Sequence, residues 1–501
     1  MAGLSAAAVG GVVAFDLTQK QHAILRNFPV IGHFRYLLET VGPELRQYIV
    51  TGNDEERPFS RDHRRWVYAS SKGQNNYFGF GTDNDVERTV GYPIIKHRTF
   101  DGRGAQTAPH AQEGDPLPSA KVLGAARGRR LAFRPASLVN LSGMSFGSLS
   151  GPAVRAMNEG AAIVNSLHNT GEGGLSPHHQ HGGDLIFQIG TSYFGCRDEQ
   201  GRFDLARLVD LVQANPVRAV EVKLSQGAKP GLGGMLPGVK VSPEIAATRG
   251  IPVGEDCASP SRHTAFGDVD EMLDFVETVA DATGLPVGIK SAVGNLEFWD
   301  ELVERMADGQ RGVDFVNVDG GEGGTGAAPL VFSDSVAYPF RVGFSEVYKR
   351  FAAAGITDDV TFIGAGKLGL PENAVVAMAL GVDLVNVGRE AMLAIGCLQA
   401  QKCHTDRCPV GIATQDPRFT RGLDPTTKKH RLANYVRALQ RDLVKLSEAV
   451  GVPHPGMITP DDVDLMEGQR GGTPLREVYG YQPGWGSLGA DLQRDVARLM
   501  A

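Results

Sequence analysis

The sequence predicts an α/β fold, a (β/α)8 TIM barrel, with an N-terminal arm or subdomain and a helical C-terminal extension. Two observations carry that prediction. Between residues 131 and 412, eight short apolar runs alternate with amphipathic stretches, and glycine-rich polar segments follow most of the runs. Runs of Leu and β-branched residues are what strands buried on both faces look like, and strands alternating with helices build a parallel sheet that can close on itself.

The runs are Leu138–Leu141, Ile163–Leu167, Leu185–Ile189, Ala219–Leu224, Val287–Lys290, Phe315–Val318, Thr361–Ile363 and Leu384–Val387. Helical spacing lies between several of them. Val269, Met272, Leu273, Val276 and Val279 share one face, as do Leu296, Trp299, Leu302 and Met306. Pro371 suits the first turn of a third helix. Upstream, residues 21–130 are rich in Arg, aromatic residues and polar turns, with one helical stretch near Phe34–Ile49, and read as an arm or subdomain. Downstream, residues 413–501 carry a helical pattern from Lys428 to Val450, lined by Leu432, Tyr435, Val436, Leu439 and Leu443. Residues 1–20 include an apolar stretch from Gly3 to Phe15. It falls short of the roughly 20 residues that cross a bilayer, so a packed segment is favoured over a shortened membrane anchor.

Composition narrows the function. A net charge of −7 without a long basic run argues against a nucleic-acid partner. Five cysteines and no recognisable secretory leader argue for reduced thiols and a cytoplasmic setting, with contact to a membrane through the N-terminus as the alternative. Glycine, at 64 residues, exceeds the usual share, and it clusters after the apolar runs, where a barrel places its site.

Those segments hold the candidate chemistry. Ser142–Ser148 follows the first run, Asn169–Gly174 the second, Lys223–Gly231 the fourth, Asp319–Ala327 the sixth, Gly364–Lys367 the seventh and Gly388-Arg389 the eighth. Loops after strands seven and eight often bind phosphate, and Gly364, Gly366, Lys367, Gly388 and Arg389 offer bare N–H groups and cations for one. Lys290 ends a buried run; it either faces a site, where an ammonium can stabilise negative charge on a reduced flavin, or pairs with a carboxylate. Cys397, Cys403 and Cys408 fall within 12 residues. That spacing fits a three-iron cluster, zinc with His404, or buried thiols.

Three stretches resemble the FMN-binding synthase domain of glutamate synthase: Lys223–Gly231, Gly323–Ala327, and Cys397 through Gln415. The arm segment His22–Gly32 is similar to that of stand-alone bacterial members. The resemblance implies FMN in the barrel mouth and a [3Fe–4S] cluster on Cys397, Cys403 and Cys408. It implies reductive amination of 2-oxoglutarate to glutamate through 2-iminoglutarate, with electrons passing from an external donor through the cluster to FMN. A related 2-oxo acid or imine is the wider substrate class. Glu172, Lys223 and Lys290 are the implied catalytic residues, Glu172 handling the proton near the imine. Ser142, Met144, Ser145, Gln188, Lys290, Gly321, Glu322, Gly323, Gly324, Thr325, Gly364, Gly366, Lys367, Gly388 and Arg389 are the implied cofactor bed. Lys223, Gln226, Lys229, Gly234 and Met235 are the implied substrate contacts. A ferredoxin or reductase subunit as donor, ammonia or an amine as nitrogen source, a glutaminase-type partner and a homo-oligomer complete the expectation.

The chain departs from the large enzymes of that family. No glutaminase domain starting with a catalytic cysteine and no β-helix domain is recognisable. Met235 stands where they carry a glutamine, and Gly321-Glu322 where they carry His-Asp. A thioether cannot donate to a carboxylate, which opens two alternatives: an enzyme for another amine or imine, such as an N-methylglutamate synthase component, or an electron-transfer subunit.

Overall fold

The computed structural model describes residues 2–19, 23–52, 55–100 and 117–500. His22 of the arm motif and residues 101–116 of the expected arm lie outside the described residues. The chain divides into two compact units, Met1–Arg64 and Arg65–Ala501.

In the first unit, helices span Ala2–Thr18, Ala23–Asn27 and Gly32–Leu45, and a π turn covers Arg46–Val50. The buried Asp16 carboxylate accepts from the Val30 N–H and lies against the His33 ring, each at 2.8 Å, which ties the end of the first helix to the turn before the third. No described helix is long and apolar enough to cross a membrane.

The second unit holds the barrel. Its strands are β1 (Val139–Leu141), β2 (His168–Asn169), β3 (Leu185–Ile189), β4 (Val217–Lys223), β5 (Val287–Ser291), β6 (Phe315–Asp319), β7 (Thr361–Ala365) and β8 (Leu384–Val387). All pair in parallel, each beside its neighbour in sequence, and β8 pairs with β1 to close the ring. The outer helices are α1 (Gly151–Ile163), α2 (Leu205–Ala214), α3 (Val269–Thr283), α4 (Glu297–Met306), α5 (Phe340–Ala353), α6 (Pro371–Ala379), α7 (Arg389–Ala394) and α8 (Pro425–Val450). Their ends follow local chemistry. The Ser150, Asp204, Asp268 and Asp424 side chains each accept a first-turn N–H, of α1, α2, α3 and α8 in that order. Gly284 and Gly451 adopt the left-handed conformation that ends α3 and α8.

One strand differs from the sequence expectation. Ile163 is the last residue of α1, and the second strand begins only at His168. The apolar ends of the run 163–167 belong to different elements: Ile163 closes α1, half-buried, and Leu167 packs in the barrel core. Asn165, at φ 53°, turns the chain between them.

No described α-helix lies between β2 and β3; a 3-10 turn at Pro177–His179 fills that link. At the other seam β8 is followed only by the six-residue α7. The long α8 packs along α1 and also touches α6, α7 and β1, so it supplies the missing wall. Its buried face carries Leu432, Tyr435, Val436, Leu439 and Leu443. Burying each large apolar side chain contributes about 1.5–3 kcal/mol.

Side chains alternate across a strand, so every second residue points into the ring. The interior begins with an apolar layer of Leu167, Ile186, Ala219, Phe315, Ile363 and Leu384, capped from below by Leu123 and Phe133. Two residues further along most strands the interior turns polar, at Asn169, Gln188, Glu221, Asn317 and Asn386, all buried. That change of layer marks the C-terminal mouth.

Candidate functional site at the barrel mouth

At the heart of the mouth is Glu221, fully buried in β4. One carboxylate oxygen accepts from Asn169 Nδ2 at 2.8 Å and Gln188 Nε2 at 2.6 Å. The other accepts from Asn317 Nδ2 at 2.7 Å. Strands β2, β3 and β6 each send one amide to this carboxylate.

Beside it, Lys290 Nζ stands 3.3 Å from Asp319 Oδ2. Burial pulls this ammonium's pKa down, but Asp319 and Glu221 outweigh it and hold the group above its ordinary value. Lys290 therefore both faces the site and pairs with a carboxylate. Asp319 Oδ2 also accepts the Gly227 N–H at 3.0 Å, which brings the loop after β4 against β6.

Above this layer lies a second charged group. Glu172 is 2.7 Å from Lys223 Nζ and 3.7 Å from Lys229 Nζ. Burial pushes its carboxyl up, yet the two lysines and Arg249 outweigh that and hold it at about 2. Lys229 is drawn down to about 8 by burial and by Lys223, against the pull of Glu172. Its ammonium also donates to the Gly233 carbonyl at 3.0 Å. Gly234 lies flat on the Glu172 carboxylate: a Cβ there would sit 3.0 Å from Oε1. Met235 follows on the rim, 47% exposed. Gln226 accepts from Lys223 at 3.3 Å.

The Glu172 loop is held by glycine. Gly171 has φ 67°, and a Cβ on it would lie 2.6 Å from the Ser145 nitrogen. The Gly171 N–H donates to Asn169 Oδ1 at 2.9 Å, so the amide that reaches Glu221 with its nitrogen holds the loop with its oxygen. Arg249, buried, donates to the Phe146 carbonyl at 3.0 Å and reaches Ser145 Oγ at 3.5 Å.

At the β7–β8 end, Gly366 has φ 127° and abuts Gly320, and Lys367 has φ 58°. Ser142 and Met144 approach Gly388. Arg389 packs on Gly324 and donates to the Glu322 carbonyl, tying the loop after β6 to the end of β8. Gly323 N donates to Gly320 O at 2.9 Å, and Thr325 Oγ1 accepts from Ala327 N at 3.2 Å, so this loop is held by its own turns.

Three expected roles meet different surroundings. The Glu322 carboxylate accepts the Phe340 N–H at 2.7 Å and so caps α5, which its own N-cap Pro339 cannot do; only the Glu322 carbonyl faces Arg389. Gly364 is packed under Phe340 and Leu368, where a Cβ would come within 2.8 Å of both, so it serves strand–helix packing. Gly321 donates to the Tyr338 carbonyl at 2.9 Å, closing its loop at the base.

The cysteine segment runs beside the same loop. Gly326 abuts Cys403, Lys240 donates to the Cys403 and Ala413 carbonyls at 2.8 and 3.0 Å, and Gln415 donates to the Gly147 and Leu149 carbonyls at 3.1 and 2.9 Å. Burial and the nearby Cys408 push the Cys403 thiol up. Among the described residues, no three His, Cys, Asp or Glu side chains converge to hold a metal ion. Cys397, Cys403 and Cys408 thus share a segment without forming a three-ligand set in this structure.

Buried polar atoms at the mouth suit a polar group. Gly143 packs against the Asn169 and Gln188 amides, where a Cβ would come within 2.8 Å of Asn169 Oδ1 and Gln188 Nε2. Asn317 Oδ1 and Asn386 Nδ2 are buried with no hydrogen-bond partner. Sequence reasoning missed Glu221, Asp319, Asn317, Asn386 and Arg249. The signal was present for four of them: polar residues at every second position of otherwise apolar runs.

Comparison with known proteins bears on this geometry. The family model described as the conserved region in glutamate synthase matches residues 129–453. The chain is 36% identical over 471 residues to the glutamate synthase large subunit-like protein YerD of Bacillus subtilis, covering 88% of this chain and 89% of that one. It is 35% identical over 320 residues to the archaeal-type glutamate synthase [NADPH] of Thermotoga neapolitana, covering 63% of this chain and 59% of that protein. Among solved structures, a flavocytochrome b2 mutant with pyruvate bound aligns over 98% of this chain and 95% of its own, at 14% identity and a TM-score of 0.45. That likeness is too remote to bear on the site.

Proposed function

The chain belongs to the glutamate synthase family of oxidoreductases, and on that premise we propose that it is an FMN enzyme that reductively aminates an anionic 2-oxo acid of the 2-oxoglutarate type. The observation that carries the substrate class is the charge balance around Glu172. Lys223, Lys229 and Arg249 surround one carboxylate, an excess of two positive charges in a largely buried space. A dicarboxylate substrate would neutralise it.

FMN, when bound, supplies hydride transfer to an imine carbon. In this reading the residues of the chain do the remaining work. Gln188 and Lys290 would meet the polar edge of the ring, and the backbone at Gly366, Lys367 and Gly388 with Arg389 would take the phosphate. Lys223 exchanges Glu172 for a substrate carboxylate, with Lys229 and Gln226 beside it. Losing that ion pair and gaining a negative neighbour both raise the Glu172 pKa, so Glu172 becomes able to hold and pass a proton at the imine nitrogen only once substrate is seated. Cys397, Cys403 and Cys408 do not fit a three-iron cluster as they stand, since no three-ligand set is present among the described residues. The electron donor and the nitrogen source, ammonia or a partner's product, come from outside the chain.

Met235 favours a second reading. A half-exposed thioether beside the Glu172 pocket suits an N-alkylated imine better than a second hydrogen-bonded carboxylate. The test is anaerobic: protein reconstituted with FMN and reduced is mixed with 2-oxoglutarate and ammonia, or with methylamine in place of ammonia. Reoxidation with glutamate formed supports the first reading. Reoxidation with N-methylglutamate alone supports the second. A flavin left reduced by both mixtures refutes both.

A further inference from the structure

A carboxylate can only accept hydrogen bonds, so each amide that meets Glu221 must turn its nitrogen toward it and its oxygen away. Asn169, Gln188 and Asn317 do so from three strands, at 2.6–2.8 Å. The consequence differs at each. The Asn169 oxygen is spent on the Gly171 N–H. The Asn317 oxygen is buried and has no partner. The Gln188 oxygen is the end turned from Glu221, on a residue 2% exposed. Neither Glu221 nor Asn317 touches open space itself, each being 0% exposed.

Resting on the FMN reading above, we propose that Glu221 is a positioning residue that fixes the hydrogen-bond polarity of the barrel mouth, so that Gln188 would present an acceptor oxygen to a ring N–H while Lys290 would present a donor to an adjacent ring oxygen. An amide turned the other way would meet the ring N–H with another N–H, and two donors cannot pair. A bound flavin has one ring N–H flanked by two carbonyl oxygens; one amide oxygen would take the N–H and the ammonium one of the carbonyls. Lys290 belongs to the same arrangement, because the Glu221 charge helps keep it protonated.

The Glu221→Gln variant keeps the shape and removes the rule. A glutamine offers one oxygen and one NH2, so at least one of the three amides must turn round and present N–H where an acceptor stood. Glu221→Asp keeps a carboxylate on a shorter stem. The measurement is quenching of FMN fluorescence on titration with apoprotein, together with the visible spectrum of the bound flavin and the urea midpoint of each apoprotein. The expected result is tenfold or greater weakening and a shifted spectrum for E221Q, with E221D closer to wild type in both. E221Q that is folded and binds FMN within twofold of wild type with an unchanged spectrum overturns the proposal alone. E221D as impaired as E221Q, with both midpoints lowered, also overturns it, since shape would then matter and acceptor-only character would not. Wild-type apoprotein that leaves FMN fluorescence untouched overturns the FMN reading and this proposal with it.

Discussion

Replacing Lys223 with Met tests the charged pocket directly. Glu172 is held at about 2 against an ordinary 4.5. A carboxyl depressed by that much contributes on the order of 3 kcal/mol to the folded state. Because its folded pKa lies below its unfolded one, that contribution is fully present above pH 4.5 and drains away as pH falls toward 2. Lys223, at 2.7 Å, is the nearest cation; Lys229 is a full ångström further. Lys223→Met should therefore remove somewhat more than half of the contribution, about 2 kcal/mol at pH 7, by leaving a buried carboxylate underpaired. Urea unfolding of wild type, K223M, E172Q and the double variant isolates this as a coupling energy. We expect about 2 kcal/mol at pH 7 and much less at about pH 2, with the double variant recovering part of the K223M loss. A 2 kcal/mol loss in holding a substrate carboxylate corresponds to roughly 30-fold weaker binding, so 2-oxoglutarate affinity should fall at least that far. A coupling energy under about 0.5 kcal/mol at pH 7 would refute the reasoning, because the pair would then be an exposed contact without consequence.

Other outcomes follow from the same geometry. His168 and His454 are buried and held near about 4 by that burial, so both fold neutral while the unfolded chain takes up protons from about 6.5. Stability is full above pH 6.5 and falls on acidification, by about 2 kcal/mol per histidine at pH 5; urea midpoints at pH 7 and 5, with and without His454→Gln, check this. Removing the α5 cap with Glu322→Ala should cost about 1 kcal/mol and leave FMN affinity within a factor of two, measured by unfolding and by flavin titration. Arg389→Met should weaken FMN more than riboflavin, since only FMN carries the phosphate; equal loss for both would remove Arg389 from the phosphate site. Iron and acid-labile sulfide measured in anaerobically prepared protein decide the thiol segment: their absence, with Cys403→Ser binding FMN normally, is what the lack of a three-ligand set among the described residues predicts.

Much of the fold was legible because a parallel barrel writes each buried strand as an apolar run. Seven runs coincide with strands, and the eighth misled because Ile163 ends α1, half-buried, while Leu167 packs in the barrel core. The pairing of Glu172 with Lys223 could not be read from the sequence, since Glu172 sits on the loop after β2, Lys223 ends β4, and the two meet only through closure of the ring. Glu322 looked like a site residue from its glycine-rich surroundings, yet those glycines bring it back over α5, a tertiary contact no local pattern encodes. Cysteine spacing fixed proximity along the chain and nothing about direction. The polar second layer was the most readable missed signal: Asn317 and Asp319 flank Val318 in β6, and Glu221 and Lys223 flank Val222 in β4.

The long α8 has a consequence for how the molecule is made. Its apolar stripe covers the seam where β8 meets β1, yet it lies well downstream of both strands in the chain. During synthesis, all eight staves can leave the ribosome while the seam is still bare and wet. The growing protein must shelter that open joint until residue 450 emerges, and only then can the last plank drop into place. Chaperone dependence should therefore peak late in translation, and a nascent chain halted before Pro425 should be the species most readily trapped by aggregation.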